Sequence, residues 1–184
     1  MSGESTPEIA PGDLLVASPR ESADSTFGRS VVLVADREPN GITTGICLNR
    51  PLGSTASEAS ALALLFIPDP TAPAFWGGPM ATDLPAILAQ FRSTNALEWF
   101  HLPIQQRRQF PLPDVGVVAV AEHTSPFEDR IVRARLYVGL CVWGRGQLER
   151  ELASGDWLLF SRRATPDLIF CAEPEALWPE LAGA

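Results

Sequence analysis

Alternating apolar and polar positions along the chain predict many short strands. The pattern is clearest over residues 29–51, where two runs rich in valine, isoleucine and threonine flank the tetrapeptide EPNG. Asn40 and Gly41 supply the positive backbone φ angles that a tight hairpin turn requires. Because Pro51 cannot donate a hydrogen bond to a neighbouring strand, it is expected to end the second strand.

Similar strand-like runs occur on both sides of this hairpin. They predict strands at 13–17, 74–80, 84–91, 98–102, 114–123, 130–143 and 157–161, with a helical turn as the alternative for 84–91. At the start of the run 130–143, arginine alternates with apolar residues. This alternation predicts one half-solvated face at the beginning of the strand and deeper burial further along.

Helical periodicity is confined to a few short segments. Residues 55–65 fit a helix that either Ser54 or Thr55 caps, and Glu58 is placed to complete a capping box with Thr55. Short helical pieces near the C-terminus carry three large apolar side chains that can dock on the core: Leu177, Trp178 and Leu181. A regular strand–helix–strand alternation is missing. The pattern therefore predicts an α+β single domain with a mostly antiparallel β-sheet flanked by a few short helices.

A glycine pair raises the question of a phosphate-binding loop. Gly144 and Gly146 stand between an apolar run and an amphipathic helix that ends at Gly155. The third glycine of a dinucleotide fingerprint is replaced by Glu149, whose carboxylate competes with phosphate for the positive end of a helix. The pair is therefore interpreted as a tight turn, and neither a nucleotide nor another cofactor is expected.

Composition narrows the classes of function. The 184 residues carry 22 acidic and 14 basic side chains, all of the latter arginine, for a net charge of −8. Direct nucleic-acid binding is not expected, since it requires a basic surface, and the apolar runs are too short for a membrane span. Residues 1–11 lack the segments of a secretory signal. They are predicted to form a disordered lead before one domain at 12–184 of a cytoplasmic protein.

Common catalytic motifs are missing from the sequence. It contains no nucleophile elbow, Walker loop, zinc-protease motif or calcium loop. Cys47, Cys141 and Cys171 form no C-x-x-C pair, so no metal site is expected, and the first two are predicted to be buried and inert. His101 and His123 are isolated and are interpreted as structural or surface residues. The protein is therefore predicted not to be an enzyme.

Glycine, proline or arginine recurs at four strand ends, where loops on a rigid sheet concentrate binding residues. An apolar wall with a few convergent polar groups is typical of a small-molecule pocket. The predicted binding cleft comprises Asn49, Arg50, Gly77, Gly78, Trp143 and Gln147, with Arg29 and Arg145 as further anion contacts. The alternative is that Asn49 and Arg50 only tie neighbouring loops together.

The same segments resemble the AlgH/YqgE family of small bacterial proteins. The resemblance rests on PGDLLVASPRESADSTFGRSVVLVADREPNGITTGICLNRP at 11–51, on the GGP element at 77–79 and on VWGRGQLERE at 142–151. Val142 departs from the family, which usually has glycine before the tryptophan. The resemblance implies an α+β domain with a coiled, bifurcated sheet. One branch of the family is described as a transcriptional regulator, and no established activity, cofactor or catalytic residue comes with it.

Three hypotheses of function remain open at this point. The first is a non-enzymatic regulatory protein that acts through a small ligand or a protein partner, without touching DNA. The second is a hydrolase or transferase that holds an anionic metabolite with Arg29, Arg50 and Arg145, because guanidinium forks suit carboxylate or phosphate. It requires these arginines to share one concave site. The third is an oligomeric interaction module marked by aromatic side chains exposed together.

Overall fold

Strands dominate the part of the chain that the computed structural model describes, namely residues 8–61, 63–92, 112, 114–119, 131–170 and 172–183. The strands are β1 (Leu14–Ala17), β2 (Val31–Arg37), β3 (Thr43–Cys47), β4 (Pro51–Thr55), β5 (Pro73–Trp76), β6 (Met80–Phe91), β7 (Val115–Ala119), β8 (Ile131–Trp143) and β9 (Trp157–Phe160). The helices are α1 (Ala56–Ala59), α2 (Ala63–Phe66), α3 (Gln147–Ser154), α4 (Pro166–Phe170) and α5 (Pro174–Ala182). The predicted α+β class is confirmed. The strand predicted at 98–102, both histidines and Cys171 lie outside the described residues.

The sheet branches at its longest strand, β8. The main path runs β4-β5-β8-β3-β2-β1-β9, and β6 joins β8 while also pairing with β7. The earlier part of β8 pairs with β6 and β5, whereas its last three residues pair with β3. Among the pairings described, only that of β5 with β8 is parallel. The mostly antiparallel sheet predicted from the strand pattern is therefore confirmed, and so is the bifurcation that the resemblance implies.

The predicted hairpin is formed by β2 and β3, but residues 38–42 connect the two strands and, of Asn40 and Gly41, only Gly41 has a positive φ. Gly41 has a φ of 90°, and Asn40 Oδ1 accepts a hydrogen bond from the N–H of Ile42 at 2.9 Å. Pro51 lies beyond the end of β3, as expected. It also begins a further strand, β4, which the sequence did not predict. A proline is tolerated there since β4 is the terminal strand of the main path and its first position needs no ladder donor.

The helix predicted at 55–65 is divided into α1 and α2. The capping box forms as expected, since the N–H of Thr55 donates to Glu58 and the N–H of Glu58 donates to Thr55 Oγ1. Ser60, however, is extended, with φ −157° and ψ 127°, and this conformation interrupts the helical ladder after one turn. The sequence located the start of the helix correctly and its length incorrectly.

Both faces of the strands β1, β2 and β3 are buried. One face packs against the C-terminal helices, where Leu177 is buried and Trp178 and Leu181 are partly buried against the core, as predicted. The other face packs against α3. The helices in the described part of the chain are all too short or too polar to reach across a bilayer.

Ile9 and Ala10, which precede the predicted domain boundary at residue 12, contact the rest of the domain. Ile9 is 5% exposed and belongs to the core on the α3 side of the sheet, while the N–H of Ala10 donates to Asp13 Oδ2 at 2.9 Å. The lead predicted at 1–11 therefore includes residues that pack against the sheet, because Ile9 has an apolar face to bury.

Candidate functional site

Asn49 joins the connection after β3 to the segment before β2. Its Oδ1 accepts a hydrogen bond from the N–H of Val31 at 2.8 Å, and its Nδ2 donates to the carbonyl of Arg29 at 2.9 Å. Both polar atoms of the side chain are thus engaged with backbone groups. This is the loop-tying arrangement that the sequence left open as the alternative to ligand binding.

Arg50 holds the same segment, residues 18–30, which we call the strap. Its Nη1 donates to the carbonyl of Thr26 at 2.7 Å, and its Nη2 donates to the carbonyl of Gly28 at 2.6 Å. The guanidinium carbon lies 5.1 Å from the ring centroid of Trp76, a cation–π distance. Arg50 therefore fastens the strap while resting on an indole ring.

Gly77 and Gly78 lie at a close crossing of backbones and do not present accessible amides. The N–H of Gly77 donates to the carbonyl of Val138 at 2.7 Å, and both glycines are buried. A Cβ on Gly77 would stand 2.2 Å from the carbonyl oxygen of Gly139, and one on Gly78 would stand 2.1 Å from the carbonyl carbon of Leu140. These glycines permit β5 and β8 to approach, a role that turn chemistry in the sequence did not indicate.

Trp143 and Gln147 both bind Glu151, a residue that the sequence reasoning missed. The indole N–H of Trp143 donates to Glu151 Oε2 at 2.8 Å, and that of Trp157 donates to the same oxygen at 2.9 Å. Gln147 Nε2 donates to Oε1 at 2.9 Å, while Gln147 Oε1 accepts from the N–H of Gly144 at 3.0 Å. The four-residue spacing of Gln147 and Glu151 on one helix is the signal that could have revealed the carboxylate.

Three tryptophans form an aromatic surface that we call the indole box: Trp76, Trp143 and Trp157. Phe27 of the strap contacts all three, with ring centroids 5.9, 6.4 and 5.5 Å away, respectively. Trp143 and Trp157 are also in edge-to-face contact at 5.9 Å. The predicted residues Arg50 and Trp143 are thus brought to one aromatic cluster, whose Phe27 the sequence did not single out.

The two further predicted anion contacts, Arg29 and Arg145, pack on other elements. Arg29 is exposed, has a φ of 58°, and its guanidinium carbon lies 5.8 Å from the ring centroid of Trp178 in α5. Arg145 is exposed next to the hairpin turn, where its Cγ would be 3.3 Å from a Cβ on Gly41. The shared site that the metabolite-enzyme hypothesis requires of Arg29, Arg50 and Arg145 gains no support from these neighbours.

An open groove of about 540 Å³ lies between the N-terminal segment and the start of α3. Its lining consists of Glu8, Ile9, Ala10, Pro11, Arg37, Glu38, Pro39 and Glu149. Arg37 forms an ion pair with Glu149 and donates to Thr43 Oγ1 at 2.7 Å. Burial acts to raise the pKa of Glu149, but the bond from Arg37, the backbone N–H and the charge of Arg150 outweigh it and lower that pKa. Glu149, whose carboxylate the sequence predicted to compete with phosphate at the start of the helix, is thus paired with Arg37.

The thiols of Cys47 and Cys141 are buried, as predicted. Burial raises the pKa of both, and the Cys141 Sγ donates to the carbonyl of Gly77 at 3.3 Å. Burial therefore favours the neutral thiol at both positions, whereas nucleophilic attack needs the thiolate. In the described part of the chain, no three His, Cys, Asp or Glu side chains are grouped in a way that could hold a metal ion.

The branched sheet and the indole box at the end of its longest strand define a small α+β protein in which aromatic and polar side chains meet under a strap. A family model described as AlgH-like matches residues 14–184. The chain belongs to this AlgH-like family, and the resemblance noted in the sequence is confirmed.

Two sequence relatives match this chain over most of its length. A UPF0301 protein of Thermobifida fusca is 34% identical over 168 residues, which cover 91% of this chain and 82% of the relative. A UPF0301 protein of Streptomyces avermitilis is 30% identical over 181 residues, which cover 98% of this chain and 89% of the relative.

Two solved structures share the fold. The crystal structure of a Corynebacterium diphtheriae protein aligns with a TM-score of 0.76 at 21% identity, covering 96% of this chain and 87% of that one. The solution structure of AlgH from Pseudomonas aeruginosa aligns with a TM-score of 0.63 at 22% identity, covering 93% of this chain and 86% of that one. The branched sheet is therefore common to proteins whose sequences have diverged widely.

Proposed function

We propose that this protein is a cytoplasmic, non-enzymatic regulatory protein that recognises a small ligand or a protein partner and does not bind DNA directly. The observation that carries the proposal is the indole box and the strap that covers it. Phe27 of the strap packs on the tryptophan rings, and Arg50 donates two hydrogen bonds to the strap backbone. A rigid aromatic wall beside a fork of donors is the composition of a recognition site. The strap that covers it gives such a site an element that can respond to binding.

A role outside catalysis agrees with the chemistry of the described residues. The thiols of Cys47 and Cys141 are buried with raised pKa values, so neither offers a ready nucleophile. Glu149 is paired with Arg37, and Glu151 accepts hydrogen bonds from two indoles and an amide. These carboxylates are engaged in holding the fold, which is a poor arrangement for general acid–base work.

The charge of the chain argues against DNA as the direct target. A net charge of −8 repels a polyanion, and proteins that grip DNA release counterions through clustered cationic side chains. Gel shift and filter binding with unrelated DNA at moderate salt are expected to show no complex. Submicromolar binding that weakens steeply with salt would overturn this part of the proposal.

Recognition itself is tested by an unbiased screen of the purified full chain. A metabolite library read by thermal shift is the first arm, because a ligand at 100 times its dissociation constant stabilises the folded state by about 2.7 kcal/mol. A pull-down from a cell extract is the second arm, with the Arg50→Ala variant as the matched bait. A ligand or partner that the wild-type chain retains and the variant loses supports the proposal. Turnover of a library compound by the wild-type chain would contradict it.

A further inference from the structure

We propose that Phe27 is an internal occupant of a binding site for a small planar aromatic compound that carries a carboxylate. The proposal rests on the proposed function, since it names the ligand class for the same site. The strap presents an aromatic ring to the indole box and, on either side of that ring, two carbonyl oxygens to Arg50. An aromatic acid offers the same two features in one small molecule.

The indole box is built without help from Phe27. Trp143 is 3% and Trp157 is 5% exposed, and both indole N–H groups are fixed on one oxygen of Glu151. Trp76 is the last residue of β5 and pairs with Val138 of β8. Because these rings are held by the sheet and by α3, the aromatic wall persists when the strap moves away.

The strap is fastened more weakly than the box. Between residues 19 and 28, hydrogen bonds from the strap to the rest of the described chain are the two that Arg50 donates. The remaining bonds of that stretch close local turns, such as the one from the N–H of Ser25 to the carbonyl of Ser22. The Oγ of Ser25 is buried with no hydrogen-bond partner among the described residues, a further cost of the closed position. Phe27 is the one large apolar side chain in the strap sequence SPRESADSTFGRS.

Displacement of the strap leaves a specific set of interactions for a ligand. The guanidinium of Arg50 loses its two carbonyl acceptors but keeps its place over Trp76, to which Phe27 also packs. A carboxylate satisfies that fork and adds the attraction of its negative charge, which the neutral strap carbonyls lack. An aromatic ring then takes the space of the Phe27 ring against the indoles. The ligand therefore competes with the strap for the same partners.

The test uses Phe27→Ala in the full chain, with phenylacetate as the probe and phenylacetamide as its neutral match. Calorimetric titration is expected to show phenylacetate binding the variant about tenfold or more tightly than the wild-type chain, because the strap no longer competes. Phenylacetamide is expected to bind the variant more weakly than phenylacetate. In the double variant Phe27→Ala/Arg50→Ala, the preference for the carboxylate is expected to disappear.

A matched variant separates a built site from a simple cavity, since truncating any buried phenylalanine can admit a ring. Phe160→Ala removes a partly buried ring from the core on the opposite face of the sheet and should gain no affinity for phenylacetate over phenylacetamide. If Phe27→Ala does not fold by circular dichroism, Phe27→Leu replaces it. A folded variant that binds neither probe, or both equally, overturns the proposal.

The peptide N-acetyl-Thr-Phe-Gly-amide is titrated as a further probe, because it reproduces residues 26–28 of the strap. Binding of this peptide without binding of phenylacetate would assign the box to a protein partner and overturn the small-molecule inference. The wild-type metabolite and pull-down screen decides the proposed function separately. If the screen finds a ligand that the wild-type chain binds and Arg50→Ala does not, but Phe27→Ala does not bind phenylacetate, the proposed function stands and only the proposed ligand class is wrong.

Discussion

Trp143 donates its indole N–H to Oε2 of Glu151 across 2.8 Å. This bond connects the end of the longest strand to the middle of α3, and it is reinforced by Trp157, which donates to the same oxygen from β9. One carboxylate on a helix thus fixes two rings of the indole box. These hydrogen bonds set the orientation of Trp143 and Trp157, and Phe27 of the strap packs on both rings.

Replacing Glu151 by alanine is expected to lower the free energy of unfolding by at least about 2 kcal/mol. The change leaves two largely buried indole N–H groups without an acceptor, and each such group is costly. Glu151→Gln keeps one acceptor oxygen in place and should lose less than half as much. Urea unfolding followed by tryptophan fluorescence compares the variants, and equal losses for alanine and glutamine would refute this explanation.

Arg50→Ala is expected to destabilise the fold by roughly 1–3 kcal/mol. Two strap carbonyls lose their donors, and the cation–π contact with Trp76 disappears at the same time. Arg145→Ala serves as the control, because that arginine is exposed and should change stability by no more than about 0.5 kcal/mol. Denaturant midpoints of the two variants provide the measurement. An Arg50 variant as stable as the Arg145 variant would show that the strap does not depend on the guanidinium.

Gly77→Ala is expected to cost about 3 kcal/mol or more, or to prevent folding. The added methyl group would stand 2.2 Å from the carbonyl oxygen of Gly139, and backbone on both sides of the crossing leaves little room to shift. Gly144→Ala is the matched control, since the nearest neighbour of its added Cβ would be the end of the flexible Gln147 side chain, 3.8 Å away. Thermal unfolding by circular dichroism distinguishes them, and similar melting temperatures would be incompatible with a tight crossing.

Glu149→Gln is expected to lower the free energy of unfolding by roughly 0.5–1 kcal/mol at pH 7, because the ion pair of Glu149 with Arg37 is partly exposed and contributes no more than that. The pKa of Glu149 is held below its usual 4.5 in the folded state. Its stabilising contribution is therefore fully present above about pH 4.5 and is lost as the pH falls through the lowered value. The difference between wild type and variant should close over that acidic range.

The measurement for Glu149 is urea unfolding at a series of pH values from neutral to about pH 3. In an Arg37→Ala background the same glutamine substitution should show little pH dependence, because the ion pair is already absent. A stability difference that persists unchanged down to the most acidic samples would count against the pairing as its cause.

Local patterns in the sequence were sufficient for features that depend on near neighbours. The EPNG hairpin, the capping box of Thr55 and Glu58, and the docking of Leu177 followed from turn chemistry, cap chemistry and periodicity. These features involve contacts within a few residues or one apolar face. The predicted length of the helix after Thr55 was wrong. Ser60 is extended and interrupts the helix, and periodicity alone does not specify that conformation.

The sequence by itself determined that Arg50 and Trp143 belong with strand ends, while the tertiary structure decided what they contact. Arg50 binds the strap, and Trp143 binds Glu151 and meets Phe27, because the branched sheet brings β3, β8 and α3 to one place. Gly77 likewise has the sequence context of a turn residue, and only the structure shows that its backbone crosses that of Gly139. The residue type determines which hydrogen bonds a side chain can donate or accept. Its partner is fixed by long-range packing, since many sequence-distant groups could satisfy the same donor and only the assembled sheet selects one of them.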